Sequence, residues 1–549
     1  MKKNITILLL AALFLSSCAD NWLNRQYQGG SLSQEQYDKL SSEKMKGTLL
    51  GIYAMIYTMG GDSHDEFGQR SIDLWGDILS GDIALTNKTY GWLYTDEQML
   101  TVSARTGTIW GFYYGMLHNI NTTVFSIENS SKIMELIATH GYPGDGGEYA
   151  YTEEETEYAL YMAQALAMRG YCYGNLARWY TPVVKSTYMT GYTIDTYKCV
   201  PVYTESNMNE PQALSTSAEV YNRTFSDLST SIMLFEKFGA YYEEIQGTEY
   251  SRNTKLEVDV NVARGLIAYA YLNAAPYYKN VDNNKMKTYY RLAHKYANDV
   301  ILSGEYRLLK NNELCTTGFN NVDHSSWMWG QNVVVETAGG LKSWFGQMDI
   351  HSYSYAWAGD TKVLDDVLKT DIEARAWDGR INWFNDGKKK STFKDCPDGK
   401  FFSAQSPEST AEEDIDREWL SDNIFMRYES MFLIASEACY FIDSLSASAD
   451  YLTQITDERM NTKYPFAQDD YTTYKTSLSN GATLLKEIEY NWRVEMWGEG
   501  YGLQTFRRLT GTKKRGGNHD YSGGSEVNAS DHSFNMNIPS SEATYNPNI

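Results

Sequence analysis

Cysteine is scarce in this 549-residue sequence, and its spacing supports no cross-linked framework. Six cysteines are present, and no two of them form a CxxC pair. Apart from Cys18 they are odd in number and far apart, which excludes a disulfide framework and the ligand spacing of a structural zinc site. Cys172 and Cys439 fall in apolar helical patterns, where a thiol is typical of a small core residue. We therefore expect no bound metal and no cofactor.

Basic residues are in the minority. The chain has 48 Lys and Arg against 70 Asp and Glu, a net charge of −22. A nucleic-acid interface needs a positive patch, and none stands out in the sequence, so we expect no nucleic-acid partner. The hydrophobic share of 42% and the charged share of 21% are ordinary for a globular protein with a solvated exterior.

Sequence motifs of catalysis are also missing. The chain has no HExxH, no GxSxG and no GxxxxGK phosphate loop. A glycosidase needs two carboxylates on either side of the scissile bond, but with 70 acidic residues a close pair such as Asp73 and Asp77 carries little information. Glu495 and Glu499 lie four residues apart beside Arg493, a spacing typical of helix-surface or ion-pairing residues. We predict no catalytic residue.

The N-terminus has the pattern of an export signal. Lys2 and Lys3 precede an apolar run from Ile5 to Leu15, which is too short to span a bilayer. Leu15-Ser16-Ser17-Cys18 has the form of a lipoprotein cleavage box. We predict a signal peptide at 1–17, a lipid on Cys18 and a tether at 18–33; the alternative is an ordinary signal peptide with an incidental cysteine. No later segment resembles a transmembrane helix, so the predicted anchor is the lipid.

One helix is predicted with both of its ends. Thr152 and Glu155 form a capping-box pattern, and Pro182 supplies the stop. Between them small residues recur at helical spacing, and after Tyr158 the only charged side chains are Arg169 and Arg178. Such a helix is buried on nearly all sides. We expect both arginines to pair with acids on neighbouring helices.

Helix pairs predict the fold class. Segments 259–275 and 286–303 both keep an apolar period near 3.6, and a short polar stretch separates them, as in a tetratricopeptide repeat. Further helices are predicted near 35–59, 107–127, 217–238, 424–445, 451–461 and 483–496. The prediction is one mostly α-helical domain at 34–549, a tetratricopeptide-like helix-pair scaffold with two irregular excursions at about 60–100 and 315–420.

Aromatic residues are abundant, with 44 Tyr and 14 Trp, and many lie in the two excursions. Long irregular regions inside a compact protein are often functional. A sugar presents a flat C–H face that an aromatic ring can cover, and planar polar groups can bind its hydroxyls. The candidate ligand-binding residues are Arg70, Trp75, Asp77, Trp92, Tyr94, Trp344, Tyr353, Tyr355 and Trp357. Trp110 and Trp179, on helices, are interpreted as core.

Six motifs in a fixed order resemble a known family. They are the lipoprotein box, ALAMRGYCYGNLARWYTP (165–182), ARGLIAYAYLNAA (263–275) with YRLAHKYANDVILSGEYRLL (290–309), RYESMFLIASEA (427–438), RVEMWGEGYGLQTFRRLTG (493–511) and MNIPSSEATYNPNI (536–549). Their order is similar to that in SusD/RagB-type lipoproteins, and the resemblance covers nearly the whole chain. The chain departs from the family pattern at Tyr180-Thr181-Pro182, where Gly-Asp-Val-Pro is usual. It departs again at Gly502 and Thr505, where an Arg and an Asp are usual.

The resemblance implies a mostly α-helical SusD-like fold and a function. Such proteins sit on the outer face of the Bacteroidetes outer membrane, capture glycans and deliver them to a partner TonB-dependent transporter of the SusC type. It places the glycan site broadly in the two excursions.

Two other functions remain open at this point. The helix pairs alone would also suit a scaffold that binds a peptide or protein, and a surface hydrolase is a third possibility. A binding role needs fewer fixed groups than catalysis, so we rank the glycan-binding lipoprotein first.

Overall fold

The computed structural model describes most of the chain beyond the N-terminus. The described residues are 41–57, 66–87, 104–124, 128–184, 186, 189–250, 252, 254–316, 318–334, 337, 340–350, 354–387, 393–401, 421–531 and 534–549. The predicted signal peptide, Cys18 and the tether lie outside this set.

Helices dominate the described residues, as predicted. The α-helices there are α1 (Ser41–Tyr57), α2 (Gln69–Ser80), α3 (Ala104–Asn119), α4 (Glu128–His140), α5 (Glu153–Tyr180), α6 (Ser217–Gln246), α7 (Val260–Ala274), α8 (Asn283–Leu302), α9 (Trp344–Met348), α10 (Asp366–Glu373), α11 (Glu429–Phe441), α12 (Leu445–Thr456), α13 (Ala467–Ser477), α14 (Gly481–Glu495), α15 (Gly502–Thr505) and α16 (Ser540–Tyr545). None of these described helices is long and apolar enough to cross a lipid bilayer.

The described strands are short and pair two by two, always antiparallel. The pairs are β1 (Ile83–Leu85) with β5 (Lys362–Leu364), β2 (Lys198–Pro201) with β3 (Leu214–Thr216), β4 (Trp327–Gln331) with β6 (Asn423–Arg427), and β7 (Thr512–Lys514) with β8 (Glu526–Asn528). The β1–β5 and β4–β6 pairs join segments far apart in the chain, whereas the β2–β3 and β7–β8 pairs join neighbouring segments.

Helix α5 begins and ends where the sequence predicts. The Thr152 hydroxyl accepts the Glu155 N–H at 3.2 Å, and the Glu155 carboxylate accepts the Thr152 N–H at 3.0 Å. The helix ends at Tyr180, two residues before Pro182. A second capping box, Thr216 with Glu219, begins α6. Local hydrogen bonding therefore defines the start of both long helices.

Helix α5 packs closely against α6. Gly170 faces Leu228 so closely that a Cβ on the glycine would lie 2.6 Å from Leu228 Cγ. The Ser231 hydroxyl donates to the Ala163 carbonyl oxygen at 2.6 Å across the same interface. The small residues of α5 thus let α6 approach.

The two arginines of α5 differ in their partners. Arg169 binds both carboxylate oxygens of Asp227 on α6, each at 2.9 Å, which confirms the predicted ion pair. Arg178 instead donates to the Asn175 side-chain oxygen and lies over the Tyr269 ring, 5.4 Å from its centre. Within the described residues no carboxylate lies within ion-pairing distance of Arg178, so the same prediction was wrong for this side chain.

The helix-pair scaffold extends beyond α5 and α6. Helix α6 packs on α7, α7 on α8, α8 on α11 and α11 on α12. This succession of neighbours is the tetratricopeptide-like arrangement expected from the sequence. Cys172 and Cys439 are buried within it as unpaired thiols, as predicted.

The structure corrects the sequence-based boundaries in two places. Residues 69–80, read as part of an irregular excursion, form α2; Gly68 and Gly81, with φ of 83° and 77°, bound this helix rather than break it. Residues 424–427, predicted to be helical, belong to β6, and the helix starts only at Glu429. Helices α4, α10 and α13 were also missed.

Eight buried charges fix the C-terminal part of the domain. Four cations and four anions, each no more than 3% exposed at the side chain, form one neutral cluster: Arg380, Lys400, Arg427, Arg459, Asp378, Glu429, Glu495 and Glu499. Burial alone would raise the pKa of Glu495, but Arg459 and Arg427 hold it well below its usual value. Glu495 and Glu499 are thus ion-pairing residues, of the core rather than of the surface.

Candidate functional site

The two regions predicted to bind ligand meet at one strand pair. Strand β1 comes from the first region and β5 from the second, and Ala84 lies opposite Val363 in the ladder. Just beyond the ladder, the Thr86 and Thr361 hydroxyls lie 2.9 Å apart, and the Asn87 amide donates to the Gly359 carbonyl oxygen. The chain therefore brings residues 83–87 and 354–364 to one surface.

Trp357 stands on the turn that leads into β5. Its side chain is 44% exposed, unusually open for a tryptophan. The turn beneath it is tightly bonded, because the Trp357 N–H donates to the Ser354 hydroxyl at 2.9 Å and the Asp360 N–H to the Tyr355 carbonyl oxygen at 2.9 Å. Gly359 takes φ of 112°, which strains any other residue. A hydrogen-bonded turn thus carries a tryptophan that is nearly half exposed.

Polar groups border this face. Thr86 is exposed, and Asn87 and Tyr355 are half-buried. Below them the buried Lys362 ammonium donates to the Gln347 side-chain oxygen and the Asp360 carbonyl oxygen, both at 2.9 Å, and lies 3.1 Å from the Asp360 carboxylate. This buried network fixes the backbone on which the surface residues stand.

Four of the predicted ligand-binding side chains are buried instead. Arg70, Trp75, Asp77 and Trp344 are each no more than 2% exposed. Because a side chain without accessible surface cannot contact a glycan, the described conformation argues against a ligand role for these four. Tyr355 and Trp357 are the predicted residues that the structure places at the β1–β5 surface. Trp92, Tyr94 and Tyr353 lie outside the described residues.

The buried four hold α2 against other parts of the chain. Arg70 pairs with Asp73 at 3.1 Å, donates to the Gly498 carbonyl oxygen at 2.7 Å and covers the Trp344 ring at 3.8 Å. Trp75 lies under the Arg105 guanidinium, 4.6 Å from ring centre to Arg105 Cζ. These are structural contacts between distant parts of the chain.

Asp77 has its own structural partners. Its two oxygens accept the N–H groups of Gly500 and Gly502, at 3.0 and 2.8 Å. Burial raises its pKa to about 7, although the two N–H donors act to lower it. A Cβ on Gly502 would lie 2.7 Å from an Asp77 oxygen, so a larger residue has no room there, which fits the departure of the chain from the family motif.

Sequence reasoning missed Thr86 and Asn87, which border the Trp357 turn, and Thr361, which is buried and bonded to Thr86. None of them belongs to a motif, and their proximity depends on a strand pairing between distant segments. Among the described residues, no group of three or more His, Cys, Asp and Glu side chains is arranged to hold a metal ion.

The chain was compared with known protein families and solved structures. Residues 353–548 match the model of the SusD family. The predicted resemblance to the SusD/RagB type is confirmed over this segment. The matched segment includes the part of the second predicted region from residue 353 onward, with the turn of Trp357, and the whole C-terminal motif at 493–511.

Solved structures extend the fold comparison to nearly the full chain. A SusD superfamily protein from Bacteroides thetaiotaomicron VPI-5482 aligns with a TM-score of 0.68 at 19% identity, over 93% of this chain and 99% of that one. A SusD-like carbohydrate binding protein from Bacteroides vulgatus ATCC 8482 aligns with a TM-score of 0.62 at 19% identity, over 93% and 97%. At these identities the likeness shows the SusD fold. No curated protein matches the sequence.

Proposed function

We propose that this SusD-type protein binds glycans at the β1–β5 surface, with Trp357 as the aromatic platform. The observation that carries the proposal is a rigid, exposed tryptophan bordered by hydroxyl and amide groups. A pyranose ring can lay its C–H face on the indole while its hydroxyls bond to the border. The carbohydrate binding described for a solved SusD-like protein supports the same function.

The N-terminal pattern completes the proposal. The signal peptide, residues 1–17, is removed. A lipid on Cys18 then anchors the single domain of residues 34–549 to the outer face of the outer membrane. The bound glycan passes from this domain to a SusC-type TonB-dependent transporter. The protein itself catalyses no reaction. Fractionation tests the anchor: the Cys18→Ser variant should leave the membrane fraction. Pull-down from outer-membrane extract should recover the transporter; a different retained protein would favour the peptide-binding scaffold.

Isothermal titration against a panel of neutral polysaccharides and oligosaccharides tests the binding site. We expect Trp357→Ala to weaken binding about tenfold, since losing one stacked ring costs about 1.4 kcal/mol. Phe466→Ala is the matched control, because Phe466 is 60% exposed and lies far along the chain, before α13. Equal effects of the two variants, or no binding across the panel, would contradict the proposal. Release of reducing sugar from a bound polysaccharide would instead indicate a hydrolase.

A further inference from the structure

A separate cleft of about 620 Å³ lies at the C-terminal end of α5. Its walls are Val183 and Val184, the 3-10 turn Ala275–Tyr278, the π-helix Phe506–Thr510, and residues beside β7 and β8. This volume is within the range of small-molecule sites. None of these segments contributes to the β1–β5 surface.

The charge of this cleft is opposite to that of the protein. The whole chain has a net charge of −22, yet the residues lining the cleft include Lys279, Arg507 and Arg508 and no acid. Arg508 is neutralised by Glu437, whose two oxygens lie at 2.6 and 2.9 Å. A further nearby acid, Glu489, lies behind the lining and accepts the Thr510 hydroxyl.

No carboxylate among the described residues pairs with Arg507 or Lys279. Arg507 donates to the carbonyl oxygens of Arg178 and Thr181 and to the Gln504 side chain, all of them uncharged acceptors. Its buried Nε–H has no acceptor. Lys279 is exposed at the mouth of the cleft. None of the acceptors of Arg507 carries a formal charge that would cancel its own.

The rest of the lining suits a sugar ring. Val183, Val184 and Leu509 supply apolar surface, and Val184 is 43% exposed. Asn280 and Thr512, both exposed, supply an amide and a hydroxyl at the mouth. Apolar surface beside planar amides and hydroxyls fits a pyranose.

We propose that this cleft is a second binding site, for a sugar that carries a carboxylate or sulfate group, with the anion against Lys279 and Arg507. The site is independent of the Trp357 surface. Its ligand is therefore an acidic glycan residue, as in a uronic acid or a sulfated galactan.

Titration with four probes tests the proposal: a galacturonate tetrasaccharide, a sulfated galactan tetrasaccharide, neutral maltotetraose and inorganic sulfate. We expect at least one anionic tetrasaccharide to bind, and to bind more weakly at high salt because exposed charges are screened. Comparison of the two anionic probes distinguishes carboxylate from sulfate recognition. Maltotetraose should not compete for the cleft, and inorganic sulfate should bind much more weakly than the tetrasaccharide.

Charge variants complete the test. Lys279→Gln should weaken the anionic tetrasaccharide about fivefold, the effect of about 1 kcal/mol for one exposed charge pair. Lys486→Gln, an exposed lysine on α14, is the matched control and should have no effect. Arg507→Gln should weaken binding at least as much; if it fails to fold, Lys279→Gln still decides.

Three outcomes would overturn the site. They are no binding of either anionic tetrasaccharide, binding that Lys279→Gln leaves unchanged, or binding that Trp357→Ala abolishes. Inorganic sulfate that binds as tightly as the tetrasaccharide would overturn the sugar specificity. Failure of neutral-glycan binding at Trp357 would leave the result for this cleft unchanged, so the two proposals fail separately.

Discussion

Gly170 lies in the close contact between α5 and α6, and three glycine-to-alanine changes measure how close that contact is. An added Cβ would meet Leu228 Cγ at 2.6 Å for Gly170 and Thr224 Cγ2 at 3.3 Å for Gly174. At Gly239, on α6, it would meet nothing within 4 Å. The three changes are chemically identical and differ only in available space.

The expected effects follow from two opposing terms. Alanine favours a helix over glycine by about 1 kcal/mol, whereas overpacking a tight interior costs about 1–3 kcal/mol. We therefore expect Gly239→Ala to stabilise by up to about 1 kcal/mol and Gly174→Ala to be nearly neutral. Gly170→Ala should destabilise by about 1–2 kcal/mol. A cavity of about 70 Å³ beside Gly170 and Leu228 gives some room for adjustment. Leucine at Gly170 or Gly174 should prevent correct folding.

Urea unfolding followed by circular dichroism gives the order of the three midpoints. Neutral-glycan affinity, measured on each folded variant, should equal that of the unchanged protein, because α5 does not contribute to the β1–β5 surface. A Gly170→Ala midpoint equal to that of Gly239→Ala would refute the close contact. Reduced glycan affinity in a folded Gly170→Ala variant would refute the separation of scaffold and binding surface.

Two further predictions concern buried charge. The pKa of Asp77 is about 7 in the folded protein, above its unfolded value. Between about pH 4 and pH 7 the folded state therefore keeps a proton that the unfolded state has lost. Because of this difference, Asp77 makes the protein less stable as pH rises through that window. Urea unfolding from pH 4.5 to pH 8 measures this effect: as pH rises, the free energy of unfolding of the unchanged protein should fall relative to that of the Asp77→Asn variant. A difference between the two that stays constant with pH would contradict the raised pKa. Glu495→Gln leaves Arg380, Arg427 and Arg459 short of one negative charge and should destabilise by about 3–5 kcal/mol. Glu458→Gln, which loses only the surface pair with Lys310, should cost less than about 1 kcal/mol, and similar midpoints for the two would refute the role of the cluster.

The sequence predicted features that depend on local chemistry. The capping box of Thr152 and Glu155 and the stop at Pro182 act within a few residues, so the bounds of α5 could be read directly. Helix α2 was missed because Gly68, Gly76 and Gly81 look like helix breakers in a sequence. In the structure two of them bound the helix, and Gly76 makes room for the Trp179 ring, which lies 3.4 Å from where its Cβ would be.

Burial could not be predicted in the same way. Arg70 and Trp344 lie in segments rich in polar and aromatic residues. Such a composition suits an exposed binding loop as well as it suits a buried contact. Their burial depends on the carbonyl oxygen of Gly498, more than 400 residues from Arg70, which no local pattern reveals. Trp344 begins helix α9 and is buried, whereas Trp357 lies on a turn and is exposed. The sequence names both as candidates but does not separate them.

The pairing of β1 with β5 has a consequence for how the protein folds. Ile83 and Leu364, partners in this ladder, are roughly 280 residues apart, and closing so long a loop is slow compared with forming neighbouring helix pairs. We expect the helical array to assemble first from contacts between successive helices. The surface around Trp357 then forms only once the C-terminal part has been synthesised and folded, so a truncated chain that keeps α5 to α8 would be helical and unable to bind at this surface.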